Sequence, residues 1–230
     1  MKRIAVIVAL AAASLAAAQG IDHSYLVGGA FGAASYEAYD LPRDAVERTY
    51  EVGFHLGGDF YRNDGHVTHL VSFDYFSTQD YDGLTPIKIF DFTYNLPIYF
   101  TSGPLRPAVS PLFGARFATS RDGGSLGQLG ILGGVRYKPS PTKCIFSDVY
   151  FGWRGRYGSL RYEYPTEFRG WKSGLVFRNA NTIEVFLPLC IYITAALDYD
   201  FYDVGSTTAD FEGKTRKPVF SGGFGPAFHF

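Results

Sequence analysis

Large apolar residues alternate with small, polar or charged residues along most of this chain, and residues 48–60 show the pattern most clearly. Tyr50 and Phe54 fall on one parity there, whereas Glu51 and His55 fall on the other. Because successive side chains of a strand point to opposite faces, the alternation predicts a strand with one apolar and one polar face.

The same alternation predicts ten strands along the chain. They cover residues 24–35, 48–60, 66–78, 87–100, 107–119, 126–138, 144–157, 171–187, 191–202 and 220–230. The eighth is the least regular, because Asn179 and Asn181 occupy apolar positions, and a β-bulge would restore its phase. Pro111 and Pro226 lie inside strands, where each removes a ladder donor and also predicts a bulge. Eight strands is the alternative, if the eighth segment and a neighbour belong to an excursion from the sheet.

The start of the chain has the pattern of a secretory signal peptide. Lys2 and Arg3 precede an uncharged apolar run that ends in small residues at positions 16–18. The run is shorter than the ~20 residues that a spanning helix needs, which argues against a membrane anchor. We therefore expect a signal peptide over residues 1–18 and one domain over residues 19–230.

Composition and charge narrow the class of protein. Lys and Arg number 21 against 22 Asp and Glu, so the net charge of −1 gives no basic excess for nucleic acid. Aromatic residues make up 17% of the chain and glycines number 27, which is typical of β-barrels. A β-sandwich would alternate in the same way, but its charged face would be the outside. The aromatic faces and the signal segment favour a closed up-and-down antiparallel transmembrane β-barrel.

The connections between the predicted strands alternate in length. Residues 62–65 and 139–143 form short turns, whereas residues 36–47, 158–170 and 203–216 form longer polar loops. Outer-membrane barrels place their short turns in the periplasm and their longer loops outside. We therefore expect an even number of strands with both termini in the periplasm, in the bacterial outer membrane.

Two motifs resemble those of a known family. All phenylalanines of residues 220–230 fall on even positions, and the final Phe228–Phe230 pair with Phe224 is similar to the assembly signal of bacterial outer-membrane barrels. Residues 95–100 with the Leu-Arg-Pro step that follows resemble the small outer-membrane β-barrel family (OmpW- and OmpX-like). The resemblance implies outer-membrane lipid and the barrel-insertion machinery as partners, and it carries over no functional residue.

The polar faces of the strands collect the charged residues into one candidate site, a polar network in the lumen. Its members are Glu51, His55, Asp59, Asp74, Asp91, Arg116, Arg136, Asp148, Arg154, Arg156, Glu184, Asp198 and Asp200. Because an isolated buried charge is costly, these groups should pair with one another. The network either fills the lumen and fixes strand register or lines a polar path for small solutes.

Catalysis, metals and cofactors find little support in the sequence. Asp80 and Asp82 lie where omptin-like proteases could hold an acid pair, but the Asp-His pair that this family also needs is missing. His66 and His69 fall on opposite faces of a strand and have no third ligand nearby. The sequence therefore predicts that the chain is not an enzyme and binds no cofactor or metal.

Cys144 and Cys190 are the two cysteines, and both fall at the periplasmic ends of neighbouring predicted strands. An oxidising compartment favours a disulfide between them if the two Cα atoms lie within about 7 Å. We expect such a disulfide as one alternative and two thiols as the other.

Two functions from different classes remain open. The family resemblance implies a narrow conduit for small or hydrophobic solutes across the outer membrane. The alternative is a structural or adhesive surface protein, whose loops bind external partners through residues such as Tyr39, Tyr162 and Phe211 while a plugged barrel anchors it.

Overall fold

The computed structural model describes residues 23–36, 48–61, 65–78, 88–119, 124–140, 143, 145–161, 167–206 and 217–229. The predicted signal peptide over residues 1–18, Phe230 of the predicted assembly signal and most residues of the longer loops lie outside these ranges.

The described part of the chain is an all-β antiparallel curled sheet. Its strands are β1 (His23–Tyr36), β2 (Arg48–Tyr61), β3 (Thr68–Thr78), β4 (Lys88–Asn95), β5 (Ile98–Tyr99), β6 (Leu105–Thr119), β7 (Gly124–Tyr137), β8 (Phe146–Arg161), β9 (Glu167–Phe186), β10 (Leu189–Ser206) and β11 (Lys217–His229). No helix among the described residues is long and apolar enough to cross a membrane.

Strand pairing follows the order of the chain. Consecutive strands pair with each other, except that both β4 and the two-residue β5 pair with β6. β1 pairs with β11 as well as with β2, so each strand other than β5 has at least two neighbours. The short connections and the two described ends of the chain, at His23 and His229, all lie at one end of the sheet. We call this the short-turn end.

The predicted fourth strand, residues 87–100, is divided in the structure. Leu96 and Pro97 separate β4 from β5, because a proline has no N–H with which to continue the ladder. The carbonyl of Pro97 instead accepts a hydrogen bond from the N–H of Thr68 at 3.1 Å, and the N–H of Tyr99 donates to the carbonyl of His66 at 2.7 Å. Hydrogen bonds of this kind keep the chain in the sheet across the interruption.

The two prolines predicted to cause bulges are accommodated without one. The ladder runs through Pro111↔Ile131 and Ile191↔Pro226 with no shift of register. Pro111 faces the interruption between β4 and β5, where Leu96 donates to its carbonyl at 3.0 Å. The β1–β11 ladder is described for three pairs and ends at Val27↔Ala227, next to Pro226. A position where pairing ends is one that tolerates the missing N–H.

The irregular eighth strand has no bulge at its two asparagines. β9 pairs with β8 in continuous register from Phe146↔Thr182 to Arg161↔Glu167, and its register shifts against β10 lie elsewhere, between Glu184 and Phe186 and between Phe168 and Trp171 among others. Asn179 and Asn181 therefore stay on the apolar parity, where Asn181 Nδ2 donates to Asn179 Oδ1 at 2.7 Å and Ser147 donates to Asn181 Oδ1 at 2.7 Å. Mutual hydrogen bonding, rather than rephasing, accommodates these amides.

The two faces of the sheet differ in the way that the alternation predicts. On one face, which we call the outer face, large apolar side chains are exposed, including Phe100, Phe113, Phe151, Phe224 and Phe228. On the other, the inner face, the buried residues include charged ones, among them Asp59, Asp91, Arg136, Asp148 and Arg154. The core of this protein is thus largely polar, and its outside is largely apolar.

Candidate functional site

The inner face carries the charged residues that the alternation places inward. Six of them are buried: Asp59, Asp91, Arg136, Asp148, Arg154 and Arg156. Four are half-buried: Asp74, Arg116, Glu184 and Asp198. The side chains of Glu51, His55 and Asp200 lie outside the described part, although their backbones belong to β2 and β10.

One group of these residues, the Arg136 cluster, lies at the short-turn end. Arg136 on β7 donates from Nε to Asp148 Oδ1 at 2.7 Å and from Nη2 to Asp148 Oδ2 at 2.6 Å. The same Nη2 lies 2.6 Å from Asp59 Oδ2, and Nη1 lies 3.5 Å from Asp59 Oδ1. Asp148 is the register partner of Arg136 on β8, but Asp59 is on β2, four strands away in the sheet. One guanidinium therefore joins distant parts of the wall.

Aromatic rings surround the guanidinium of Arg136. Its Cζ lies 4.8 Å from the ring centroid of Phe146 and 5.7 Å from that of Tyr99. The hydroxyl groups of Tyr99 and Tyr150 lie 3.4 Å apart. Cation–π contacts gain strength where water is excluded, so the rings hold the guanidinium in place and help to fill this end.

A second group, the Asp91 cluster, forms on β4, β6, β7 and β8. Arg116 donates from Nε and Nη2 to Asp91 Oδ2 at 2.9 and 2.5 Å. Gln128 donates to Asp91 Oδ1 at 2.5 Å and accepts from Arg156 Nε at 3.2 Å. Both oxygens of this buried carboxylate are thus occupied, which is what the cost of burying a charge requires.

Asp198 on β10 extends the ionic contacts around the inner face. Its Oδ1 lies 2.8 Å from Nη1 of Arg154, and its Oδ2 lies 3.7 Å from Nη2 of Arg156. Arg156 thereby connects Asp198 to the Asp91 cluster through Gln128. Charged and hydrogen-bonded side chains from β4 to β10 form a continuous network.

Apolar residues also occupy the inner face, which the sequence analysis did not predict. Leu112, Leu132, Tyr150 and Val176 are buried together on β6 to β9, with Tyr99 and Ala108. These residues have the same odd or even parity as the inward charges on their strands, so the alternation in the sequence already indicated that they face inward. Their contact means that one side of the interior is filled by hydrocarbon rather than by polar groups.

A cavity of about 150 Å³ adjoins the Arg136 cluster. Residues from β2, β3, β4 and β6 to β11 line it, so it lies in the space enclosed by the inner face. Glycines form part of one wall, at Gly57, Gly58 and Gly222, whereas Leu132 and Tyr150 project from β7 and β8. Small residues on one wall and large ones on the other leave this space unfilled.

Three further polar residues of the interior were absent from the predicted site. Gln128 bridges Asp91 and Arg156, and Asn95 and Arg178 line the cavity. Gln128 lies on the polar parity of its strand and so faces inward, but the predicted network contained only charged residues and His55. Arg178 lies beside the two asparagines that made the phase of its strand ambiguous.

The structure describes His66, His69 and Cys190, which the sequence analysis considered as metal or disulfide residues. Among the described residues, no group of three or more His, Cys, Asp and Glu side chains is placed to hold a metal ion. His66 Nδ1 contacts the carbonyl oxygen of Tyr99 at 3.1 Å, and His69 Nδ1 contacts the hydroxyl of Tyr94 at 2.8 Å. Cys190 is buried against Phe146, but Cys144 lies outside the described residues, so the disulfide stays a prediction.

No protein-family model matches the chain, and no curated protein matches it. Two outer-membrane β-barrels of known structure resemble it. The outer membrane protease OmpT from Escherichia coli is 9% identical, with a TM-score of 0.43, over 90% of this chain and 96% of that one. The translocator domain of the autotransporter NalP from Neisseria meningitidis is 14% identical, with a TM-score of 0.46, over 100% of this chain and 98% of that one.

The comparison corrects the prediction that the chain is not an enzyme, because OmpT is a protease. That prediction is withdrawn. At 9% identity the likeness assigns no catalytic residue and no substrate to this chain. Asp80 and Asp82, the acid pair considered for an omptin-like site, lie outside the described residues.

Proposed function

We propose that the chain forms a closed ten-stranded barrel in the bacterial outer membrane and conducts small or hydrophobic solutes through a narrow lumen. The pairings β1–β11 and β4–β6 support closure, because the former joins the first and last strands of the chain and the latter links the two ends of the strand order. Counting β4 and β5 as one interrupted strand gives ten. An even number agrees with both described ends lying at the short-turn end, which we assign to the periplasm.

The exposed apolar outer face supports the membrane location. Phe100 is 64% exposed, Phe224 71% and Tyr157 67%. A protein surrounded by water would bury rings of this size, because each Å² of apolar surface removed from water contributes about 25 cal/mol of stabilising free energy. Hydrocarbon around the barrel removes that penalty, while the charged residues remain on the inner face.

The cavity of about 150 Å³ is the observation that carries the conduit. It lies on the path that a solute would take between the loops and the short-turn end. Arg136, Asp59 and Asp148 close that path at the short-turn end. We infer a narrow conduit in which this cluster is the constriction.

The second candidate function is a plugged barrel that anchors external loops. The contact of Arg136 with Asp59, which crosses the interior, favours it, because this contact and the aromatic rings obstruct the lumen. The loops that would bind partners lie mostly outside the described residues.

Single-channel recording of the refolded wild-type protein in planar lipid bilayers separates the two functions. The conduit predicts discrete, small conductance steps. A silent protein that is folded, as shown by its heat-modifiable mobility in gels, would contradict the conduit and support the anchor.

A further inference from the structure

We propose that the cavity next to the Arg136 cluster binds a small zwitterion, a molecule with an ammonium group at one end and a carboxylate at the other. The inference deepens the proposed function, because it names a class of solute for the same lumen. It rests on the charges of the cavity wall, on two buried polar atoms that have no hydrogen-bond partner among the described residues, and on the size of the space.

Three carboxylates and one guanidinium line the cavity. Asp59 on β2 and Asp74 on β3 lie on one side, whereas Asp148 on β8 and Arg178 on β9 belong to neighbouring strands on the other. Arg136, which is not among the lining residues, compensates the charge of Asp148 through two hydrogen bonds and part of the charge of Asp59. Negative potential at Asp59 and Asp74 attracts an ammonium group.

Asn95 gives the acidic side an acceptor without a donor. The residue is 9% exposed, lies on β4 beside β3, and lines the cavity. Its Oδ1 is buried and has no hydrogen-bond partner among the described residues. A buried acceptor left unpaired destabilises the protein, and a ligand N–H would remove that cost. An ammonium group brings three such donors.

Arg178 gives the other side a donor without an acceptor. It lies on β9, across the sheet from β3 and β4, and its buried Nε has no hydrogen-bond partner in the part of the chain that the structure describes. A guanidinium and a carboxylate form strong charge-assisted hydrogen bonds. Asn95 Oδ1 can thus accept from a cationic donor, and Arg178 Nε can donate to an anionic acceptor. A single zwitterion supplies both groups.

The size and the remaining walls limit the ligand. A cavity of about 150 Å³ is large enough for a molecule of the size of benzene. Leu132, Phe146 and Ala180 also line the cavity and provide apolar surface. A short aliphatic amino acid has this arrangement of charges and hydrocarbon, so 4-aminobutyrate is a suitable probe, with butylamine and butyrate as analogues that each lack one charge.

The experiment measures equilibrium binding of these three probes to the folded protein in detergent by isothermal titration calorimetry. We expect 4-aminobutyrate to bind at least about tenfold more tightly than either analogue, since each lost ionic hydrogen bond is worth at least about 1.4 kcal/mol. Asn95→Leu should weaken 4-aminobutyrate and butylamine and leave butyrate unchanged. Arg178→Met should weaken 4-aminobutyrate and butyrate and leave butylamine unchanged. Lys143→Met, at an exposed position outside the cavity lining, should change none of the three.

The zwitterion site would be overturned if all three probes bound equally or none of them bound. It would also be overturned if each variant weakened the binding of all three probes to the same extent. If Arg178→Met bound 4-aminobutyrate as tightly as the wild type and butylamine bound as tightly as 4-aminobutyrate, the zwitterion site would also be overturned. The cavity would then be a site for a simple cation. Binding in detergent does not require conduction. Conductance without 4-aminobutyrate binding therefore refutes the site alone, and binding by a silent protein refutes the conduit alone.

Discussion

The guanidinium of Arg136 on β7 reaches the carboxylate of Asp59 on β2, with Nη2 and Oδ2 2.6 Å apart, although the two strands are four positions apart in the sheet. Only a contact through the interior can join them. It ties together parts of the wall that share no ladder hydrogen bond. In the proposed barrel the same contact narrows the lumen, so one ion pair serves both structure and permeability.

Removal of Arg136 should destabilise the protein strongly. Arg136→Met leaves the carboxylates of Asp59 and Asp148 buried without their shared cation, which typically costs about 3–5 kcal/mol. Urea unfolding in lipid vesicles, followed by tryptophan fluorescence, measures the change. The triple variant Asp59→Asn/Arg136→Met/Asp148→Asn should recover much of the loss, and Lys143→Met at an exposed position should cost little. If Arg136→Met were as stable as the wild type, the Arg136 cluster would not be important for stability.

Two adjacent glycines on β7 should respond differently to a methyl group. A Cβ at Gly134 would overlap the carbonyl of Val149 and the ring of Tyr150, whereas a Cβ at Gly133 would have Phe151 O at 4.0 Å as its nearest neighbour. Gly134→Ala should therefore destabilise by roughly 1–3 kcal/mol through overpacking. Gly133→Ala should stay within about 0.5 kcal/mol, as is usual for exposed positions. Equal effects of the two variants in the same unfolding assay would refute the placement of Tyr150 over Gly134.

The sequence predicted local properties of this fold better than long-range ones. Alternation placed Asp91, Arg136 and Arg154 on the inner face, because parity depends only on neighbours along one strand. It did not show that Arg136 contacts Asp59, since that contact depends on the curvature of the whole sheet. Curvature also decides which inward residues fill the interior, so the cavity next to Asn95 had no sequence signal.

Prolines and asparagines were the other source of error. A β-bulge was expected at Pro111, Pro226, Asn179 and Asn181, because each breaks a local rule of strand sequence. The structure satisfies them through neighbours instead, with an interrupted strand opposite Pro111 and a chain of side-chain hydrogen bonds at Asn181. The sequence pattern of one strand does not show that a neighbouring strand satisfies its proline or asparagine.

The asparagine pair on the outer face should show coupled energetics. Asn181→Leu removes the acceptor of Ser147 and the donor to Asn179 and should destabilise by about 1–3 kcal/mol, even though leucine is more apolar. The double variant Asn179→Leu/Asn181→Leu removes both amides and should be close to neutral. Additive costs in a double-mutant cycle would show that the two amides do not interact.

A charge on the outer face should be costly in proportion to its depth in the membrane. Phe113 is in the middle of β6 and 54% exposed, whereas Leu105 begins the same strand and is 57% exposed. Phe113→Arg should destabilise by about 2–4 kcal/mol and Leu105→Arg by about 0–1 kcal/mol in bilayers. Arginine tolerated equally at both positions would place this face in water rather than in lipid.

The conduit is tested most directly by single-channel recordings of the wild-type protein and Arg136→Ala under the same conditions. The proposal predicts small discrete openings for the wild type and clearly larger ones for the variant, because the cluster that contacts Asp59 and Asp148 is the constriction. Folded proteins that are both silent, or a variant whose conductance equals that of the wild type, would contradict it.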